Sequence, residues 1–363
     1  MSEHSSVQAE LSRNSETSEP VLDNLVTVTY RHRVGNLADR LAALRDWLQD
    51  DLSDLDAALG RVVAMPTTDV AWDAAQYLLQ QSGKRVRPLC VMLGARMGGR
   101  LFDDDVRQVA IAAELVHTAT LLHDDVIDQG AERRGVSTAR MVYGNAASVL
   151  GGDHLLIDAL RRVETVDLKV MSKLLTVIAD MVSAEALQLE MRKSFRPDRD
   201  IYLRIVEGKT AALFRWSLEA GGLLGGLDAQ VAQTLGEVGQ HLGMTFQLVD
   251  DLLDIDGDPS EMGKTGCLDL AEGKLTWPTI LAAERCPETA ALLKKIATDH
   301  VDVAAANLTE VVARIRNTGA IDDTRAEAQR YAELAMVALE ALPVGAARDA
   351  LKTVVESALR RTR

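Results

Sequence analysis

From residue 36 onward the apolar residues of this chain recur at spacings of three and four, and almost nowhere at two. Leu37, Leu41, Leu44, Leu48, Leu52, Leu55 and Leu59 make the first such run. That period puts all seven on one face of an α-helix, and such a stripe must be buried against other helices. The same period returns over roughly 69–82, 86–98, 104–128, 145–163, 168–192, 198–222, 228–255, 274–285, 300–317, 321–341 and 345–361. Breaks fall at Gly98-Gly99, Arg196-Pro197-Asp198 and Gly257-Asp258-Pro259. No repeat of 20–50 residues is visible, which disfavours a solenoid. The sequence therefore predicts an all-α fold, a single domain of about ten to twelve mostly antiparallel helices. Residues 1–22, rich in Ser and Glu, are expected to be a disordered polar tail, with the domain over 23–363.

Composition narrows the partners. Hydrophobic residues make up 47% of the 363, ample for a core. Lys and Arg number 40 against 54 Asp and Glu, a net charge of −14. A global electrostatic grip on nucleic acid is excluded at that charge. No stretch reaches the roughly 18–20 apolar residues of a membrane span. The first twenty residues have no apolar core of a secretory signal. Cys90, Cys267 and Cys286 are odd in number and far apart, so neither a disulfide framework nor a zinc site is suggested. A reducing cytoplasm is the expected compartment.

Two acidic motifs stand out. In His123-Asp124-Asp125-Val126-Ile127-Asp128, Asp124 and Asp128 lie one helical turn apart and share a face. The aspartates follow an apolar run and close a helix, where the macrodipole disfavours negative charge. The pattern returns in Gln247-Leu248-Val249-Asp250-Asp251-Leu252-Leu253-Asp254. One DDxxD is ordinarily a solvated helix end; two, each closing an apolar helix, call for a hard divalent cation. Magnesium takes one or two carboxylates together with substrate phosphates. All six aspartates are therefore candidate metal ligands.

Phosphate needs cations. Gly83-Lys84-Arg85-Val86-Arg87-Pro88 carries three, and Arg133-Arg134 follows the first acidic motif. Gly208-Lys209-Thr210 carries another, and Lys264 and Lys274 belong to the glycine-rich stretch 256–273 and its edge. Around two acidic motifs in an acidic chain they read as a diphosphate-binding perimeter. Gly208-Lys209-Thr210 lacks the upstream glycine of a Walker loop, which rejects a P-loop nucleotidase.

In order and spacing, these motifs resemble the trans-isoprenyl diphosphate synthases, or polyprenyl synthetases. That family carries GKRxRP, then DDxxD followed by RR, GKT, FQxxDD with a second DDxxD, and a late GK…D…GK. Here they are residues 83–88, 124–128 with Arg133-Arg134, 208–210, 246–254, and Gly263-Lys264 with Asp269 and Gly273-Lys274. Two positions depart from the usual pattern, Thr245 and His154, and neither removes a charge. The resemblance implies helices around a deep central cavity, with both acidic motifs at its mouth. It implies head-to-tail condensation of isopentenyl diphosphate with an allylic diphosphate (dimethylallyl, geranyl, farnesyl or geranylgeranyl). It implies about three Mg²⁺ ions per site, with Mn²⁺ as a substitute. By similarity, Lys209, Lys274 and Arg133 face the departing diphosphate, and Lys84, Arg87, His117 and Arg134 hold the second. Thr210 and Gln247 match positions whose oxygens face the cationic carbon chain. Asp124, Asp125, Asp128, Lys209, Thr210, Gln247 and Asp250 form the catalytic set, with Lys264 at the substrate perimeter. A homodimer is implied, with peripheral membrane contact only for release of product.

Product length is read from the helix before the first motif. Thr120 and Ala119 lie about one turn, roughly 5.4 Å, from the metal site, and Val116 continues the same face. None is bulky, where short-chain members carry aromatics, so a product of roughly C30–C50 is expected at one isoprene unit per turn. A floor from another helix would stop growth earlier, giving farnesyl or geranylgeranyl products. His123 reads as a hydrogen-bonded core histidine, and Asp153 as a cap or structural partner. An HD-type phosphohydrolase would need further metal-ligating histidines, which this chain does not place at such spacing, and a class I terpene cyclase has no use for Lys84 and Arg87. An inactive subunit of a heteromeric synthase would have lost charges that this chain keeps.

Overall fold

The computed structural model describes residues 35–64, 69–81, 83–133, 135–192, 194–257, 267–299 and 308–361. The tail expected over 1–22 lies outside them, as do Arg134, Lys264, residues 258–266 of the glycine-rich stretch and residues 300–307 of one expected helix.

The leucine stripe forms α1 (Gly35–Val63), and Leu41, Leu48 and Leu55 on it are fully buried. Burying each such side chain contributes about 1.5–3 kcal/mol. Then follow α2 (Val70–Leu79), α3 (Val86–Met97) and α4 (Asp104–Ile127). The Asp103 carboxylate caps α4 by accepting from Val106 N at 3.1 Å, and Asp104 and Asp105 complement the dipole. A short antiparallel hairpin, β1 (Glu132–Arg133) and β2 (Val136–Ser137), turns at Gly135 with φ +77°. Next come α5 (Ala139–Tyr143), α6 (Asn145–Glu164) and α7 (Leu168–Arg192). The chain continues through α8 (Arg199–Val206), a π-helical turn (Glu207–Ala211), α9 (Ala212–Leu224) and α10 (Ala229–Asp256). It closes with α11 (Leu268–Ala271), α12 (Trp277–Arg285), α13 (Pro287–Asp299), α14 (Leu308–Asn317), α15 (Ala320–Glu340) and α16 (Ala346–Arg360).

The all-α expectation holds, and the helix count needs correction upward. The single helix read over 198–222 is two α-helices joined by the π turn. The helix read over 274–285 begins only at Trp277. There the Thr276 N–H donates to Thr279 Oγ1 at 2.8 Å and Pro278 cannot supply an N–H to a preceding turn. Helix α5 is too short to show the three–four period, and α13 carries it at Ala290, Leu293, Ile296 and Ala297 outside the stretches read as helical.

Helix α4 packs on α6, α3 on α9, and α10 on both α9 and α15. The α3–α9 crossing depends on glycine. A Cβ on Gly94 would stand 2.6 Å from Leu218 O, and one on Gly221 2.3 Å from Val91 O. Two apolar clusters form the interior. The larger joins α1–α4, α6, α7, α9 and the first half of α10; the smaller gathers Leu248, Leu252, Ile255, Trp277, Ile280 and Leu293 under the second half of α10. Because α10 belongs to both, its end is held from two sides. Cys90 and Cys267 are buried and Cys286 partly so, all unpaired. No helix among the described residues is long and apolar enough to cross a membrane.

Candidate active site

The end of α4 is surrounded by cations from four segments. The β1–β2 hairpin folds back, and Arg133 donates to Asp125 Oδ1 through Nε at 3.0 Å and Nη2 at 2.9 Å. The other oxygen, Asp125 Oδ2, is buried with no partner among the described residues. Lys274 Nζ donates to Asp128 Oδ2 at 2.6 Å, and Arg192 at the end of α7 donates to Asp128 Oδ1. Burial pushes the Asp128 carboxyl upward, but Lys274 and Arg192 outweigh it and hold it below the ordinary range. For Asp125 burial wins over Arg133, and its pKa is raised.

Lys209 and Thr210 sit in the π turn. A Cβ on Gly208 would stand 2.7 Å from Ala184 Cβ and 2.9 Å from Asp180 O, so only glycine lets the turn lie against α7. Lys209 Nζ reaches Asp124 at 3.3 Å and Gln188 Oε1 at 2.9 Å, and it donates to Glu185. The Thr210 hydroxyl donates to Gln247 Oε1 at 2.9 Å.

The end of α10 is built differently. Asp251 is 1% exposed and its oxygens take three hydrogen bonds: Gln247 Nε2 at 3.0 Å, the Tyr202 hydroxyl at 2.5 Å and Trp277 N at 3.1 Å. Burial and the charge of Asp269 still push its carboxyl up to about 7. Asp254 accepts from Leu268 N at 3.0 Å, and its backbone carbonyl accepts from Cys267 N at 2.7 Å. At Cys267 and Leu268 the chain is therefore bonded to the end of α10, which brings Asp269 beside Asp254. Burial and the charge of Asp269 raise the Asp254 carboxyl, burial with the charges of Asp250 and Asp128 raises that of Asp269 against Lys274 and Lys209, and burial with the charges of Asp254 and Asp269 pushes the Cys267 thiol to about 12. Asp250 is the open member, 44% exposed on its side chain, with Arg361 Nη1 at 2.9 Å.

Lys274 joins the two ends. Gly273 turns with φ +75°, Lys274 N donates to Asp269 O at 2.8 Å, and its ammonium then reaches Asp128 and Glu272. Despite burial, the charges of Asp269, Glu272 and Asp128 raise the Lys274 pKa.

The upstream basic motif divides. Arg85 takes a left-handed backbone, φ 46°, and pairs with the buried Glu114. Arg87 lies 4.5 Å above the Phe214 ring, and burial lowers its pKa to about 10. Phe214 stacks near Phe246, 5.5 Å between centroids, and Arg361 covers Phe246 at 3.6 Å. His117 stands one turn beyond Glu114 on α4, and Lys84 directly precedes Arg85. Ala119 and Val116 are buried on α4, and Thr120 is partly exposed, donating to His117 O at 2.8 Å. His123 is half-buried and hydrogen-bonded, its Nε2 3.0 Å from Val149 O and 3.4 Å from Asp153.

Sequence reasoning missed Glu185, Gln188, Arg192, Tyr202 and Arg361. Glu185, Gln188 and Arg192 follow an i, i+3, i+7 spacing on one face of α7, which is a usable signal. Arg361 stands far along the chain from Asp250, and nothing local marks it.

Among the described residues no three His, Cys, Asp or Glu side chains converge into a ready-made metal cage. That fits magnesium, which keeps waters and substrate oxygens and takes few protein ligands. The donors are all hard carboxylate oxygens, and the unpartnered Asp125 Oδ2 and the repelling Asp254–Asp269 pair are what a divalent cation would relieve. The residues present fit the ion.

Residues 69–315 match the profile of the polyprenyl synthetase family. The chain is 33% identical to heptaprenyl diphosphate synthase component 2 of Geobacillus stearothermophilus, over 86% of this chain and 96% of that one. It is 36% identical to octaprenyl diphosphate synthase of Escherichia coli (strain K12), over 79% and 88%. The crystal structure of a polyprenyl synthase from Caulobacter crescentus CB15 complexed with calcium and isoprenyl diphosphate superposes with a TM-score of 0.82 at 33% identity, covering 90% and 98%. With its two acidic helix ends tied by Lys274, this chain belongs to the polyprenyl synthetase family.

Proposed function

We propose that this polyprenyl synthetase condenses isopentenyl diphosphate with an allylic diphosphate, head to tail and repeatedly, in a magnesium-dependent reaction that ends at a long-chain product of roughly C30–C50. The observation that carries the reading is Lys274, which belongs to the segment behind the second acidic motif and pairs with Asp128 of the first. One cationic perimeter thereby serves both motifs.

Asp124, Asp125 and Asp128 would hold magnesium on one side, and Asp250 and Asp254 on the other. Asp251 acts as a brace, fixed by Tyr202, Gln247 and Trp277. When bound, the ions would screen the charge that grows on the diphosphate as the allylic C–O bond breaks. Lys209, Lys274 and Arg133 orient that diphosphate. Lys84, Arg87 and His117 hold isopentenyl diphosphate, with Arg134 and Lys264 assigned to the same perimeter by resemblance. Thr210 and Gln247, locked to one another, turn fixed dipoles toward the carbocation. The apolar interior excludes the water that would quench it.

The names of the heptaprenyl and octaprenyl relatives support a long product, as do the small side chains at Val116, Ala119 and Thr120. Ala119→Phe sets a ring about one turn below the metals and is expected to shorten the product to roughly C15–C20. Chromatography of dephosphorylated products checks it, and an unchanged distribution removes this helix from the product path. The assembly is read as a C₂ homodimer. Leu168, Leu175, Val182 and Leu189 recur every seven residues on α7 and all are exposed, Leu168 at 72% and Val182 at 64%. An apolar stripe of that length is what a second copy would cover. Sedimentation showing an active monomer would overturn the dimer. Incubating the protein with isopentenyl diphosphate and each allylic primer, with and without Mg²⁺, tests the reaction; turnover that survives EDTA would overturn it.

A further inference from the structure

We infer that Arg192 is a further ligand of the allylic diphosphate: it donates to Asp128 in the protein alone and to diphosphate oxygens once a divalent cation engages Asp128. The inference rests on the reaction proposed above and adds a residue that the motifs do not contain.

The argument is one of remaining partners. Four cations meet at the end of α4, and Arg133, on Asp125, is already assigned to the departing diphosphate. Lys209 has Glu185 and Gln188 besides Asp124, and Lys274 has Glu272 at 2.6 Å besides Asp128. Each keeps a protein partner if its aspartate turns to a metal. Arg192 does not. Its side chain is 12% exposed and Nη2 is taken by Asp128. Its Nε is buried without a partner among the described residues. The other carboxylate near it is Glu185, 4.0 Å away, whose Oε1 is itself unpartnered. A buried guanidinium with idle donors is unfavourable, and its planar fork matches two oxygens of a diphosphate better than any remaining group nearby. Glu185 places it. One carboxylate oxygen takes Lys209 and the other faces Arg192, so both cations border the same space. A Cβ on Gly273 would stand 3.8 Å from Arg192 O, so the end of α7 lies beside the turn that carries Lys274.

A purely structural Arg192 would hold Asp128 and nothing more, and the two roles separate by titration. Inorganic diphosphate with Mg²⁺ is titrated calorimetrically into the wild type, Arg192→Gln and Arg192→Lys, with thermal unfolding as the check of folding. Arg192→Gln is expected to weaken diphosphate binding about tenfold or more and to raise the KM for the allylic substrate in step. The KM for isopentenyl diphosphate stays within about twofold. Mg²⁺ alone binds the variant at least as tightly as the wild type, because a competitor for Asp128 has gone. Arg192→Lys restores part of the loss and carries the comparison if the glutamine variant fails to fold. Unchanged diphosphate affinity in Arg192→Gln, or equal weakening of Mg²⁺ alone and of diphosphate, would overturn the inference. A wild type that neither binds diphosphate nor transfers prenyl groups would overturn the proposed reaction instead.

Discussion

The ends of α4 and α10 carry the same DDxxD pattern and solve the same electrostatic problem in opposite ways. At α4 the protein supplies the counter-charge: Arg133, Arg192, Lys209 and Lys274 all reach the motif. Asp128 is held ionised, below its ordinary range. At α10 one guanidinium reaches Asp250 and neutral donors hold Asp251, while Asp254 and Asp269 repel each other. Burial therefore raises the carboxyls of Asp251, Asp254 and Asp269, where Asp128 is lowered. An identical motif therefore does not fix an identical site. In the proposed reaction the first would take the diphosphate, and the second would gain most from an arriving metal ion.

The largest expected effect follows from what the two ends share. Asp124→Ala and Asp250→Ala should each lower turnover by about 10²–10³-fold or more, with melting temperatures near that of the wild type. If only the α4 variant lost activity, the α10 end would have no part in the chemistry. Next comes the division of the cations. Lys209→Ala should lower kcat by about 10²-fold, whereas Lys84→Ala and Arg87→Ala should chiefly raise the KM for isopentenyl diphosphate, by about tenfold. Steady-state kinetics with each substrate varied separately would merge the two groups if a single diphosphate site served both.

A smaller effect concerns pH. The carboxyls of Asp251, Asp254 and Asp269 are raised in the folded protein, Asp251 to about 7, against an ordinary value of 3.8. A raised carboxyl contributes stability that is complete below its unfolded pKa and is lost as pH climbs through the folded one. The melting temperature of metal-free protein should therefore fall between about pH 5 and about pH 8, and Mg²⁺ should restore it most at the upper end. A flat profile in EDTA would place the α10 carboxyls in a well-compensated environment like that of Asp128. The smallest is Tyr202→Phe, which leaves Asp251 two donors of three. It should cost about 1–3 kcal/mol in denaturant unfolding and shift the metal requirement upward without abolishing activity.

Much of this was legible in the sequence. The three–four apolar period located α4 within a residue of its end, because a long buried stripe bounded by Asp103 and a glycine-containing turn leaves little choice. The charged motifs were legible because acidic and basic side chains at helix ends demand partners. What stayed hidden depends on contacts distant in sequence. Nothing around Arg361 announces that it will cover Phe246, and Tyr202 reads as one more apolar position of α8 until its hydroxyl meets Asp251. Arg85 and Arg87 look alike in the motif, and the left-handed backbone at Arg85 alone sends it to Glu114.

The π turn at Glu207–Ala211 has a consequence for how the enzyme can change over generations. A π turn is one residue more than an α-helix needs. Deleting a single residue there would let α8 and α9 run on as one regular helix, with the backbone ladder improved and Lys209 and Thr210 rotated off the cavity. Such a deletion would gain a regular ladder and lose the aim of Lys209 at Asp124 and of Thr210 at Gln247. The surplus residue is where this chain gives up helix regularity to position its polar groups.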